Sequence, residues 1–308
     1  MKKIFVYGMV ILPLVVVLSF PGNTFAGESG KSNYVLVFQA TDYNSKLGQA
    51  VEYFFKQILR PEDDVILFTP QRFYNYSQQT RQAHPLDKLT KRTKDVLKRD
   101  ISVGAANYNN TIEQMQMIVT EIGKSMGTVG AGPGSGGEGM RGMTSVTDLK
   151  NWLIQYRQLL ENLRTIRRLN EKLFMDLAQS FKQRGGNNII FVFYQQEMRI
   201  TPDKDTMDAL RNNPDIRFEA TEVFSEENIK EPMDAAKVSQ ALKDAGVTLH
   251  FVYMHKRMSR RQGIETKEFS GDIYNVFSKI TQNTGGQVMT TAKPDAALKK
   301  ILGAKKKK

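Results

Sequence analysis

The sequence predicts an α/β fold: a doubly wound, mostly parallel sheet flanked by helices, with a long helical insertion. Three observations predict it. Short apolar runs rich in β-branched and aromatic residues recur at 34–38, 65–68, 189–194 and 247–253, the pattern of strands buried on both faces. Helical spacing fills the intervals, so strand and helix alternate. Between the second and third runs, from residue 86 onward, the chain carries mostly helical spacing, interrupted at 102–108 and by a glycine-rich stretch.

Residues 1–26 read as a secretory signal peptide. Lys2 and Lys3 form a basic start, an apolar stretch runs from Ile4 to Phe20, and Pro21 and Gly22 break it. Thr24, Phe25 and Ala26 then form a small-residue cleavage site before Gly27. The mature chain is expected to be periplasmic or extracellular. Retention as an uncleaved anchor is the alternative, because the run sits at the short limit of a bilayer span.

A polar lead-in covers 27–33, and the first strand follows at 34–38. Leu47, Val51, Phe54, Phe55 and Ile58 recur at helical spacing, and the segment 60–64 ends that helix. The second strand is 65–68, with 72–76 able to pair beside it. Residues 86–123 are expected to be helical with a break at 102–108. A helical segment at 111–183 contains the glycine-rich stretch 127–142, whose composition is that of a flexible loop. It lacks the Gly-Lys-Ser/Thr ending of a phosphate-binding loop.

From Asp148 to about Phe181, apolar residues fall three or four apart. This predicts one helix about 50 Å long, part of which projects against the preceding helices. Gly185 and Gly186 close it before the third strand at 189–194. A short helix starts at Thr206, and another at 234–245 ends on Gly246 before the fourth strand. A helix at 269–284 ends on Gly285 and Gly286, the glycine stop expected there. A short strand at 287–290 and a helix at 294–302 complete the domain, and 303–308 form a basic tail.

The chain has 308 residues, 40% of them hydrophobic and none of them cysteine. It can bury a full core without staples, and disulfides, thiolate chemistry and Cys-ligated zinc are excluded. The formal charge is +12, of which the signal and the Lys305–Lys308 tail carry half. The remainder fits a solvated surface or contact with an acidic partner. The tail could touch anionic lipid weakly. No zinc-finger, RRM or helix-turn-helix pattern points to nucleic acid.

Three stretches carry a resemblance. They are Ala-Gly-Val-Thr-Leu-His-Phe-Val-Tyr at 245–253, Ile-Thr-Gln-Asn-Thr-Gly-Gly-Gln-Val at 280–288, and Asp-Ala-Ala-Leu-Lys-Lys-Ile at 295–301. Together with the order of elements over 34–302, apart from the long central segment, they resemble a von Willebrand factor A domain. The resemblance implies a divalent cation, Mg²⁺ or Ca²⁺, at the C-terminal edge of the sheet. That site begins with Asp-x-Ser-x-Ser after the first strand, where this chain has Gln39, Ala40, Thr41, Asp42 and Tyr43. A second acid is implied after the third strand, where Tyr194, Gln195 and Gln196 stand. Thr111 and Thr144 both fit the remaining threonine.

Hard cations need oxygen ligands that include carboxylates, and neutral amides replace both acids. The site is therefore read as degenerate and metal-free. Asp42 could serve as a ligand if the register shifts by one, and alternation along a strand would point it away from Thr41.

Enzyme chemistry finds little support. The only histidines are His84, His250 and His255, and no Gly-x-Ser-x-Gly or His-Glu-x-x-His motif is present. The expectation is a non-catalytic module that binds a protein partner through the sheet's C-terminal edge, the long helix, or both. His255, Lys256, Arg257, Arg260 and Arg261 form a basic loop at that edge, a candidate contact for an acidic partner. A metal-dependent module built around Asp42, and an enzyme of unknown type, are the alternatives.

Overall fold

Gln39, Gln195 and Met254 end three neighbouring parallel strands on one side of the sheet. The computed structural model describes residues 30–128, 145–166, 169–225, 232–256 and 263–303. In chain order the elements are β1 (Ser32–Gln39), α1 (Ser45–Tyr53) running into a π-helical turn (Phe54–Ile58), β2 (Asp64–Phe68), β3 (Phe73–Tyr76), α2 (Gln78–Gln82), α3 (Leu86–Ser125), α4 (Val146–Ile166) and α5 (Glu171–Lys182). Then come β4 (Asn187–Gln195), β5 (Met198–Pro202), α6 (Lys204–Asn212), α7 (Arg217–Phe224), α8 (Ala235–Asp244), β6 (Val247–Met254), β7 (Ile264–Glu268), α9 (Gly271–Asn283), β8 (Val288–Thr291) and α10 (Pro294–Gly303).

The main sheet has the order β3-β2-β1-β4-β6-β8, parallel throughout except for β3 at one edge. The expected fold class is the one observed. Side chains alternate along β1 into two cores. Val35 and Val37 join α5, α8 and α9 on one face, through Phe174, Val238 and Phe277. Tyr34, Leu36 and Phe38 join α1, the first half of α3 and α10 on the other, through Leu47, Leu97 and Leu298.

The insertion differs from expectation in two places. The break at 102–108 is absent, and α3 continues for 40 residues. Gly104, which suggests a stop when read locally, is a point of close approach: a Cβ there would lie 2.6 Å from the Pro70 Cβ. Conversely, the single helix expected from Asp148 is two helices. Asn170 caps the second, its side chain accepting from the Leu173 N–H at 2.9 Å, a local bond that competes with continued helix.

That division lets the two helices serve different cores. α5 packs on the sheet, whereas α4 joins the second half of α3, α6, α7 and the antiparallel β5–β7 ribbon around a third core. Tyr156 at the centre of this core donates its hydroxyl to the Ile200 carbonyl. The ribbon grows out of the C-terminal ends of β4 and β6, so the insertion roofs that edge of the sheet.

Candidate functional site

Ligands of open α/β sheets bind at the C-terminal strand ends, where the winding reverses. Here that point lies between β1 and β4, and Gln195 is the last residue of β4. Its buried side-chain oxygen reaches across to the chain leaving β1. Oε1 accepts from the Thr41 N–H and the Asp42 N–H, both at 2.8 Å, and from Thr41 Oγ1 at 3.2 Å. A neutral amide oxygen thus holds two consecutive backbone N–H groups and a hydroxyl.

Lys256 arrives from the end of β6. Its Nζ donates to Thr41 Oγ1 at 2.7 Å and pairs with Asp42 Oδ2 at 3.1 Å. The same ammonium sits 4.3 Å from the centroid of the Tyr108 ring, a cation–π contact. Tyr108 is fixed in turn, its hydroxyl donating to the Met198 carbonyl and accepting the Met198 N–H, each at 2.9 Å. Only 8% of the Lys256 side chain is exposed. Burial pulls its ammonium below the ordinary lysine range, and Asp42 acts in the opposite sense.

These residues do not fit a divalent cation. An ammonium already occupies the space among the hydroxyl, the carboxylate and the ring, and the Gln195 oxygen is committed to the backbone. Among the described residues, no group of three or more His, Asp or Glu side chains is placed to hold a metal. No protein-family model matches the chain, and neither curated proteins nor solved structures give a match.

The structure brings Thr41, Asp42, Gln195 and Lys256 together. Asp42 does not turn away from Thr41. β1 ends at Gln39, so strand alternation no longer governs the segment 40–44. Gln39 is buried and pairs with Tyr194 in the ladder. Tyr43 is half-buried over Gly48, where a Cβ would meet its hydroxyl at 2.5 Å. Thr111 lies one turn beyond Tyr108 on α3 and donates its hydroxyl to the Asn107 carbonyl at 2.8 Å. His255 is exposed, and its backbone N–H donates to the Thr291 carbonyl at 3.0 Å. Thr144, Arg257, Arg260, Arg261, the Lys305–Lys308 tail and the signal segment lie outside the described residues.

Sequence reasoning missed Tyr108 and a buried polar layer beside it. Tyr194 donates to Glu197, and the Glu197 N–H donates to Ser270 Oγ at 2.9 Å. Tyr253 donates to Glu268, with Ser270 Oγ 2.6 Å from the same hydroxyl. The available signal was a tyrosine at or beside the end of two neighbouring strands.

Burial, and then the Glu268 carboxylate, push the Tyr253 hydroxyl well above the ordinary phenol range. Its folded pKa therefore exceeds its unfolded value of about 10. The stabilisation is complete below that pH and is lost as pH climbs above it. Tyr253→Phe is expected to flatten the alkaline fall in stability followed by urea unfolding. An unaltered fall would contradict the Tyr253–Glu268 contact, in which the tyrosine is the buried partner.

Proposed function

We propose that this chain is an exported, non-catalytic protein-interaction module of von Willebrand factor A-like architecture, whose adhesion-type metal site is replaced by its own lysine. The observation that carries this reading is the Lys256 ammonium seated on Thr41, Asp42 and the Tyr108 ring. A tethered monovalent cation supplies the charge at the sheet edge, and the edge needs no metal to be ordered. The doubly wound strand order and the helix–Thr-Gly-Gly–strand junction at 284–286 support the family reading. The segment 1–26 supports export.

The non-catalytic reading is supported by the histidines, which are scattered. His84 and His255 are exposed, and His250 is buried against Phe191 with Nδ1 accepting the Gln287 N–H at 3.1 Å. Because the insertion roofs the strand ends, a partner would meet the insertion's outer surface. Exposed large apolar side chains stand there, Met117 on α3 and Ile154 on α4, with Phe218 on the neighbouring α7, the residue class that anchors partners.

Calorimetric titration of residues 27–308 with Mg²⁺, Ca²⁺ and Mn²⁺ tests the reading. No binding is expected. Millimolar or tighter binding that Asp42→Ala abolishes would overturn it in favour of a metal-dependent module. For the basic loop, charge reversal at Arg257, Arg260 and Arg261 is expected to weaken partner capture, and undiminished capture would remove that loop from the interface.

A further inference from the structure

The first half of α3 carries a charged ridge that the site does not use. Leu89, Leu97 and Ile101 are buried on the sheet. On the opposite side of the helix Lys88, Lys91, Arg92, Lys98 and Arg99 are exposed, with Asp95 as the one carboxylate among them. At 1.5 Å per residue the ridge is about 16 Å long. Among the described residues, Arg99 alone of these cations is ion-paired, to Asp100 at 3.0 Å. A shallow depression of about 380 Å³ opens along the ridge, lined by Lys88, Lys91, Arg92, Asp95, Val96 and Arg99. Four cations around one small hollow suit a phosphate-bearing group.

The topology places this ridge beside both ends of the described chain. β3 runs antiparallel to β2, and Tyr76 near its end pairs with Val65. α3 therefore starts at the N-terminal edge of the sheet, where Asp87 pairs with Lys56 at 3.1 Å. β1 begins at that same edge, directly after the segment that carries the apolar stretch. α10 also ends towards it, with Lys299 5.2 Å from the ring of Tyr53 at the end of α1. Beyond Gly303 the sequence runs into Lys305–Lys308.

We infer that the outer ridge of α3 is a docking surface for anionic phospholipid headgroups, which holds the N-terminal edge of the sheet towards a membrane. Three features favour a lipid surface over an acidic protein. The ridge lies along one continuous helix whose apolar side is packed in the core beside the sheet. Its cations are mostly unpaired and hold no fixed geometry that would select one carboxylate pattern. Val103, 57% exposed, continues the ridge by one turn and offers an apolar group to the headgroup layer. Juxtamembrane cations of this number bind anionic bilayers through additive attraction that salt screens. The inference goes beyond the protein-interaction reading, and the outcome of metal titration leaves it untouched.

The test is co-sedimentation of residues 27–308 with phosphatidylcholine vesicles, with and without phosphatidylglycerol, at low and high salt. Binding is expected only with phosphatidylglycerol, falling as salt rises. Reversal at Lys88, Lys91 and Arg92 to Glu is expected to weaken it about 100-fold. The same three positions changed to Gln are expected to give a smaller loss, and reversal of Lys150, Lys204 and Arg217, exposed in the layer over the opposite edge of the sheet, little change. Circular dichroism on each variant confirms folding. Absence of vesicle binding, binding unchanged by the ridge variants, or binding abolished by deleting 304–308 alone while the ridge is immaterial would each overturn the proposal. An acidic polypeptide that binds the ridge when vesicles do not would overturn it in favour of a protein partner.

Discussion

Gly286→Ala is expected to destabilise the domain by about 4 kcal/mol or more, in the range where single substitutions become diagnostic of one mechanism. A Cβ at Gly286 would lie 1.7 Å from the Leu249 carbonyl oxygen and 2.7 Å from its carbon. These are backbone atoms in the middle of β6, so no rotamer change relieves the overlap. Relief requires the end of α9 to move off the strand. That movement would break the Gly286 N–H bond to the Thr281 carbonyl at 2.8 Å, the Leu249 N–H bond to Thr284 Oγ1 at 3.2 Å, and the Gln287 N–H bond to His250 Nδ1 at 3.1 Å.

Gly285→Ala is the control. Gly285 sits at φ +72° with nothing near its missing Cβ, so only the left-handed backbone is penalised, by about 1–2 kcal/mol. Chemical denaturation of both variants should rank Gly286 well above Gly285. A Gly286→Ala protein within about 1 kcal/mol of the parent would mean that this junction is packed differently.

The same junction shows what could be read beforehand. The Thr-Gly-Gly motif marks a helix stop in sequence because a left-handed residue is needed there, and Gly285 supplies it. That the second glycine is required by contact with a strand distant in sequence is a tertiary fact. Buried strands were legible because Val35, Ile66 and Ile190 sit in unbroken apolar runs, which sheets covered on both faces demand. The unbroken course of α3 through 102–108 was not legible because a glycine stands inside that segment, and only the nearness of Pro70 accounts for Gly104. The α4–α5 break was hidden because apolar spacing continues through Ile166, Leu169 and Leu173. Both helices bury a stripe, but in different cores. β5 and β7 escaped notice because Arg199, Thr201, Glu265 and Lys267 give them little apolar signal.

At the site, Gln39 and Gln195 were legible as residues at the C-terminal ends of buried strands. The seat of Lys256 was not. In sequence it opens a basic run, which reads as a solvated loop, and its desolvation comes from Tyr108 on a helix that local reasoning had interrupted.

Gln195→Leu is expected to lose about 3 kcal/mol and to release the segment at Thr41 and Asp42. The substitution keeps most of the bulk of the side chain and removes the amide, including the oxygen that accepts both N–H groups. Gln195 is 6% exposed and Thr41 8%, so water cannot readily replace the lost acceptor. The buried Thr41 N–H is left unsatisfied at about 1–3 kcal/mol, and the Asp42 N–H, on an exposed residue, adds a smaller part that water and relaxation of the loop offset. Hydrogen exchange at the Thr41 and Asp42 amides should rise together with the loss in urea midpoint. A drop in stability without faster exchange at those two amides would place the damage elsewhere.

Gln195→Glu separates the acceptor from its charge. A carboxylate can accept the same two N–H groups, and the nearby Lys256 ammonium would hold its pKa down. Stability gained this way is present above the ordinary carboxylate pKa of about 4.3 and lost as pH falls below it. The decisive variant combines Gln195→Glu with Lys256→Ala. It would set a second carboxylate beside Asp42 and the Thr41 hydroxyl with the resident cation removed, the oxygen-rich set a hard cation requires. The double variant is expected to bind Mn²⁺ or Ca²⁺ calorimetrically where the parent and each single variant do not. If it binds none, Lys256 is not standing where a metal could stand, and the tethered-cation reading of the sheet edge falls with it.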